Sequence, residues 1–203
     1  YHAVLRNVLQ SAVKKEMIPR NPADSVDKPK KNRYQAAHYT EAEMLELFKV
    51  IEGDPLELPI KIAAYYGLRR SEVLGLKWEA VNFQEKTLAI NHKIIEAKVD
   101  GKFVPVGEDV LKTKSSIRTL PLLSIVEELL LEAKEKQVFM RKLFKRDYCK
   151  DYLDYICVDQ TGKLFRPNYV TEHFSYLIRK FGLKKIRFHD LRHTCASLLL
   201  ANG

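Results

Sequence analysis

Three strand-like runs interrupt a chain whose other apolar residues keep a helical repeat: TLAINHKI (87–94), a short piece near KFVPV (102–106) and IRTLPL (117–122). Alternation and β-branched content put every second side chain of such a run on one face, the pattern of a half-buried strand. Asp100-Gly101, between the first two runs, is a tight-turn pair. The expected fold class is α+β: a mainly helical domain enclosing a small three-stranded antiparallel sheet.

Helices flank this block on both sides. Val4, Leu5, Val8, Leu9, Ala12 and Val13 follow a helical repeat that breaks at Ile18-Pro19 and again at Asn21-Pro22. PADSVDKPKKNRYQ (22–35) then has the Pro, Asp and Lys content of a linker, so the first segment is separable from the rest. A second helix is expected from Thr40, with Glu43 completing a capping box, to a stop near Gly53. LELPIKIAAYY (56–66) runs into Gly67, a residue suited to the left-handed position that closes helices. SEVLGLKW reads as a short helix from Ser71, and residues 124–144 and 167–182 as longer amphipathic ones. Tyr1 is not an initiator Met and the chain starts inside a helical pattern, which suggests a piece of a longer protein.

Lys and Arg exceed Asp and Glu by nine, and they cluster at KPKKNR (28–33), RKLFKR (141–146) and RKFGLKKIR (179–187). Such clustering suits a polyanionic partner such as nucleic acid, although an excess of solvating lysine gives a similar total. Cys149, Cys157 and Cys195 form no paired framework, which points to a reducing compartment. No apolar run reaches membrane-spanning length and the first residues carry no secretory signal, so the cytosol is expected, without membrane attachment.

Three separated basic stretches carry candidate chemistry. In YGLRRSEVLGLKW, Arg69 follows a Gly-terminated helix and precedes a new helix N-terminus, a corner that can hold a phosphate. Glu72 could pin that guanidinium, or the two could be an ordinary surface pair. In LKTKSSIRTLPL, Lys112 and Lys114 precede a strand at a hairpin, where a Lys serves as point charge or proton donor, or merely protects a sheet edge. In HDLRH, a helix would place His189, Arg192 and His193 at i, i+3 and i+4 on one face, with Leu191, Cys195, Leu198 and Leu199 as a core stripe on the other. The His pair has a metal-helix spacing, but the Glu of H-E-x-x-H is absent and Arg192 puts a positive charge where a cation would sit. Arg192 gripping phosphate oxygens, with His189 moving a proton or donating a hydrogen bond, suits an anionic substrate better.

Taken together, GLRRSE (67–72), LKTKSSIRTLPL (111–122) and HDLRHT (189–194) resemble the tyrosine recombinases, in particular integrases of phages and integrative conjugative elements. The resemblance covers essentially the whole chain. It implies residues 1–27 as the end of the family's core-binding domain, 28–38 as a basic linker and 39–203 as the catalytic domain short of its C-terminal end. By the same resemblance Arg69 and Arg192 clamp the non-bridging oxygens of a DNA phosphodiester, Lys112 rather than Lys114 protonates the departing 5′-oxygen, and His189 assists proton transfer. Glu72 and His193 are supports. No metal or other cofactor is implied, because two Arg and a Lys take the role that Mg²⁺ plays elsewhere. The implied partners are double-stranded DNA at attachment sites and, for whole enzymes, three further copies in a tetramer.

The family's nucleophilic Tyr follows the HxLRH box, whereas Tyr148, Tyr152, Tyr155, Tyr169 and Tyr176 all precede it and read as core or surface aromatics. The expected function is therefore that of a site-specific DNA recombinase or integrase, here as a fragment without its nucleophile. The alternatives are a non-catalytic DNA-binding remnant of a recombinase and, more distantly, a metal-dependent hydrolase using His189, His193 and Cys195.

Overall fold

The computed structural model describes residues 1–27, 37–109 and 118–201. The chain divides into two compact units, Tyr1–Gln35 and Ala36–Gly203. In the first, helix α1 (His2–Lys14) is amphipathic, and Val4, Leu5 and Val8 are exposed. Asn21 folds the following turn (Pro22–Ser25) back onto this helix: its amide donates to the Arg6 carbonyl at 3.0 Å, while its Oδ1 accepts from the Ala23 N–H.

The second unit is built on one continuous core. Helix α2 (Glu41–Val50) starts at Thr40 with the expected capping box, and α3 (Glu57–Tyr66) ends at Gly67 in the left-handed region. Helix α4 (Arg70–Leu74) is shorter than the sequence suggests. It stops at Gly75, where the chain passes so close to a strand that a Cβ would lie 2.5 Å from the Lys93 Cα. Among the described residues five strands follow: β1 (Val81–Asn82), β2 (Thr87–Ile90), β3 (His92–Val99), β4 (Lys102–Asp109) and β5 (Arg118–Pro121). Three long helices complete the unit, α5 (Ser124–Phe144), α6 (Pro167–Lys180) and α7 (Asp190–Ala201).

The α+β class holds, but the three expected strands do not share one sheet. The run 87–94 divides at Asn91 into β2 and β3. β2 lies between β1 and β5 in an antiparallel three-stranded sheet, whereas β3 and β4 form a separate hairpin. Leu88, Ile90, His92 and Ile94 are all buried, so the period-2 pattern crosses the division unbroken while the backbone partner changes. Asp100 and Gly101 both have positive φ, the requirement of a two-residue type I′ turn. Leu47, Ile60, Ile62, Leu74, Leu88, Leu130 and Phe174 are wholly buried at the centre, each contributing roughly 1.5–3 kcal/mol.

The stripe expected on α7 is also narrower than the sequence suggests. Leu191 and Cys195 are buried, but Leu199 is 67% exposed. At about 100° per residue, Leu199 points roughly 80° away from Leu191, beyond the edge of the contact with α3.

Gly75→Ala tests the close approach of α4 and β3, because its φ of −85° suits alanine and only the contact opposes the substitution. A loss of about 1–3 kcal/mol is expected in urea denaturation, as for an overpacked site. An unchanged midpoint would contradict that packing.

Candidate phosphate-binding site

Arg69 sits where one helix has ended and the next begins. Gly67 (φ 59°) turns the chain through a conformation costly to any residue with a Cβ, and Arg69 becomes the N-cap of α4. Glu72 closes back on that cap. Its Oε2 accepts from the Arg69 backbone N–H at 3.0 Å, and its Oε1 from Arg69 Nη1 at 2.8 Å. A second guanidinium reaches the same carboxylate from β5: Arg118 Nη2 donates to Oε2 at 2.8 Å and Nη1 to Oε1 at 3.4 Å.

Glu72 is only 7% exposed. Burial pushes its carboxyl up, but the hydrogen bonds from Arg118 and from the Arg69 backbone and side chain outweigh burial and bring it down to about 2 from the ordinary 4.5. The carboxylate is therefore a fixed acceptor, not an exchangeable acid. Arg69 itself is 58% exposed. Among the described residues, its Nε and Nη2 make no hydrogen bond.

Helix α7 brings the second arginine to this corner. Arg192 Nη1 donates to the Gly67 carbonyl at 2.7 Å, and Cys195 Sγ to the Tyr65 carbonyl at 3.4 Å. Acceptors at the end of α3 are thus satisfied by α7. The packing is close, since a Cβ on Gly67 would stand 3.4 Å from Cys195 Cβ and 3.7 Å from Arg192 Cγ.

The start of α7 is held by groups that the sequence alone does not single out. Fully buried Asp190 accepts from the Arg187 backbone N–H at 2.8 Å and from Arg187 Nη2 at 2.7 Å. Thr194 donates to the Asp190 carbonyl at 3.1 Å and accepts from the Tyr39 N–H at 3.1 Å, which ties α7 to the segment before α2. An acidic residue at a helix start with an Arg three positions earlier was the available signal.

His189 lies one residue before α7, not within its first turn. It is exposed, and its ring meets His193 edge-on with centroids 5.8 Å apart. Cys195 turns the other way, into the contact with α3, so these three residues do not converge on one point. Among the described residues no group of three or more His, Cys, Asp or Glu is placed to hold a metal ion. Lys112 and Lys114 lie outside the described residues, between β4 and β5 in the sequence.

The five tyrosines between residues 148 and 176 are engaged elsewhere. Tyr155 is buried, burial raises its phenol above the ordinary range, and its hydroxyl lies 2.9 Å from His92 Nε2. Tyr152 packs edge-on against Tyr155. Tyr148 is buried, Tyr169 stacks between Phe165 and His173, and Tyr176 lies against His173 on α6.

A family model described as the phage integrase family matches residues 37–203. A "Tyrosine recombinase XerC-like" protein of Caldanaerobacter subterraneus subsp. tengcongensis is 26% identical over 196 residues, covering 94% of this chain and 48% of the relative. The ICEBs1 integrase of Bacillus subtilis is 27% identical over 201 residues, covering 98% and 52%. The chain thus spans about half the length of these curated relatives. Among solved structures, the Tn1549 transposon integrase in complex with a circular intermediate DNA superposes with a TM-score of 0.81 at 18% identity, over 100% of this chain and 66% of that one. No helix among the described residues is long and apolar enough to cross a membrane.

The depressed carboxyl of Glu72 has a signed consequence. Its ionised form is favoured by folding, so its contribution is full above the ordinary 4.5 and is lost as pH falls toward about 2. Melting temperature measured against pH should therefore fall less steeply over that range for Glu72→Gln, which should also be less stable at neutral pH. Parallel curves for the two proteins would contradict the buried ion cluster.

Proposed function

The chain belongs to the phage integrase family of tyrosine recombinases, and from that premise we propose that it supplies the phosphate-gripping part of a site-specific DNA recombinase. The observation that carries the proposal is the hydrogen bond from Arg192 to the Gly67 carbonyl. It ties the HDLRH box to the corner of GLRRSE, so that two guanidinium groups from distant boxes serve one anion. Residues 39–203 would form the catalytic domain and residues 1–27 the end of a preceding DNA-binding domain, joined by the basic stretch 28–38.

The chemistry follows from what phosphoryl transfer needs. A tyrosine oxygen bonds to phosphorus, the bond to the 5′-oxygen breaks, and charge accumulates on the non-bridging oxygens in between. Arg69 and Arg192 neutralise that charge; each stays protonated and offers two donors to an oxyanion. Lys112 gives its proton to the departing 5′-oxygen, and His189 donates a hydrogen bond or moves a proton at the phosphate. Glu72 orients Arg69, and His193 supports the His189 ring. A preorganised donor of this kind is typically worth about 10²–10³ in rate.

The attacking tyrosine belongs after the HDLRH box, and Tyr148, Tyr152, Tyr155, Tyr169 and Tyr176 do not take its place. The substrate would be double-stranded DNA at attachment sites of a mobile element, and the whole enzyme would act as a tetramer on paired sites. Relatives from bacteria and the scattered free cysteines favour the bacterial cytoplasm.

Duplex DNA should bind this chain with a log affinity that falls linearly as log salt rises, and Arg69→Ala or Arg192→Ala should weaken binding roughly five- to tenfold, the loss of one charged contact. On a suicide substrate the complex should remain non-covalent. Affinity indifferent to salt, or an adduct on any of the five tyrosines, would overturn the reading.

A further inference from the structure

Glu72 presents an electrostatic difficulty that the site must solve. A buried carboxylate hydrogen-bonded to Arg69 orients that guanidinium, but it also cancels its charge, and a neutral pair is a poor receptor for an anion. The structure supplies a second cation at this point. Arg118 places Nη2 2.8 Å from Glu72 Oε2 and Nη1 3.4 Å from Oε1, so Oε1 is shared between the two guanidinium groups, while Oε2 takes the second Arg118 donor and the Arg69 backbone N–H. The two arginines against one carboxylate leave a net positive corner.

The two arginines are not equivalent. Arg118 is 33% exposed, with both Nη atoms on Glu72, whereas Arg69 is 58% exposed and gives Glu72 only Nη1 and its backbone N–H. Arg118 is also held by the backbone. It pairs with Ile90 at the end of a ladder that continues through Thr119, Leu120 and Pro121, so its Cα is fixed by the sheet. Arg69 has the freer and more open side chain, and Arg118 the anchored and inward one.

We propose that Arg118 is a positioning residue for the phosphate grip: it holds the Glu72 carboxylate that orients Arg69 and offsets the negative charge that Glu72 brings. The inference rests on the reading of Arg69 as a phosphate ligand. It assigns no direct DNA contact to Arg118, which acts through Glu72 and Arg69.

A double-mutant cycle separates this role from its alternatives. Affinity of the full 203-residue chain for a fluorescent DNA duplex at low salt is measured for Arg69→Ala, Arg118→Met, the two combined and Arg118→Lys, with a melting temperature for each. Arg118→Met should weaken binding about tenfold, the loss of one charge-assisted interaction, and cost no more than about threefold on the Arg69→Ala background, where only the unoffset charge of Glu72 is left to act. Arg118→Lys keeps the charge and should recover most of the affinity. If Arg118→Met unfolds, Arg118→Gln and its combination with Arg69→Ala take its place in the cycle, with the same smaller loss expected on the Arg69→Ala background. Additive losses would make Arg118 an independent DNA contact and overturn the inference. A loss with Arg69→Ala but none with Arg118→Met would overturn it and leave the phosphate-ligand reading of Arg69 standing. No loss with Arg69→Ala would overturn that reading, and this inference with it.

Discussion

The carbonyl of Gly67 is the point on which the site depends. A helix ending in the left-handed conformation turns its last peptide away from the helix axis, and here the carbonyl oxygen of the buried Gly67 takes a hydrogen bond from Arg192 at 2.7 Å. One contact therefore serves two purposes. It satisfies the end of α3, and it draws α7 against the corner where α4 begins. Arg69 stands two residues further on, so whatever fixes Gly67 fixes the separation of the two arginine-bearing elements.

Around that contact the polar groups are arranged to need little movement on binding an anion. Glu72 is held from three sides by donors, and Asp190 is held by both the backbone and the side chain of Arg187. Each acidic group is buried and each partner guanidinium is more open. Donors oriented in advance stabilise developing charge more effectively than groups that must reorganise during the reaction. The excess of basic residues over the whole chain adds a long-range attraction for a polyanion, while this corner is where the proposed function seats one phosphate.

Much of the frame was legible because its signals are local. The Thr40/Glu43 capping box, the Gly67 helix stop and the Asp100-Gly101 turn each depend on a few neighbouring residues, and each is found where the sequence puts it. What the sequence hid depends on distant partners. TLAINHKI alternates without a break, so nothing in it shows that β2 pairs with β5 while β3 pairs with β4. Arg118 looks like one more basic residue in a basic stretch until β5 lies beside β2 and its side chain meets Glu72, 46 residues earlier. Helix α4 ends at Gly75 because of β3, a neighbour that its own residues do not name. Lys112 was legible as a motif residue, and it lies outside the described residues.

The most direct measurement of the central claim is to locate a bound oxyanion. Crystals of the chain soaked in tungstate, a strongly scattering phosphate mimic, would reveal its position by anomalous diffraction. The expected result is a peak within hydrogen-bonding distance of the guanidinium groups of both Arg69 and Arg192. A peak contacting neither arginine, or no peak at this corner while tungstate occupies other basic surfaces, would contradict a shared phosphate grip.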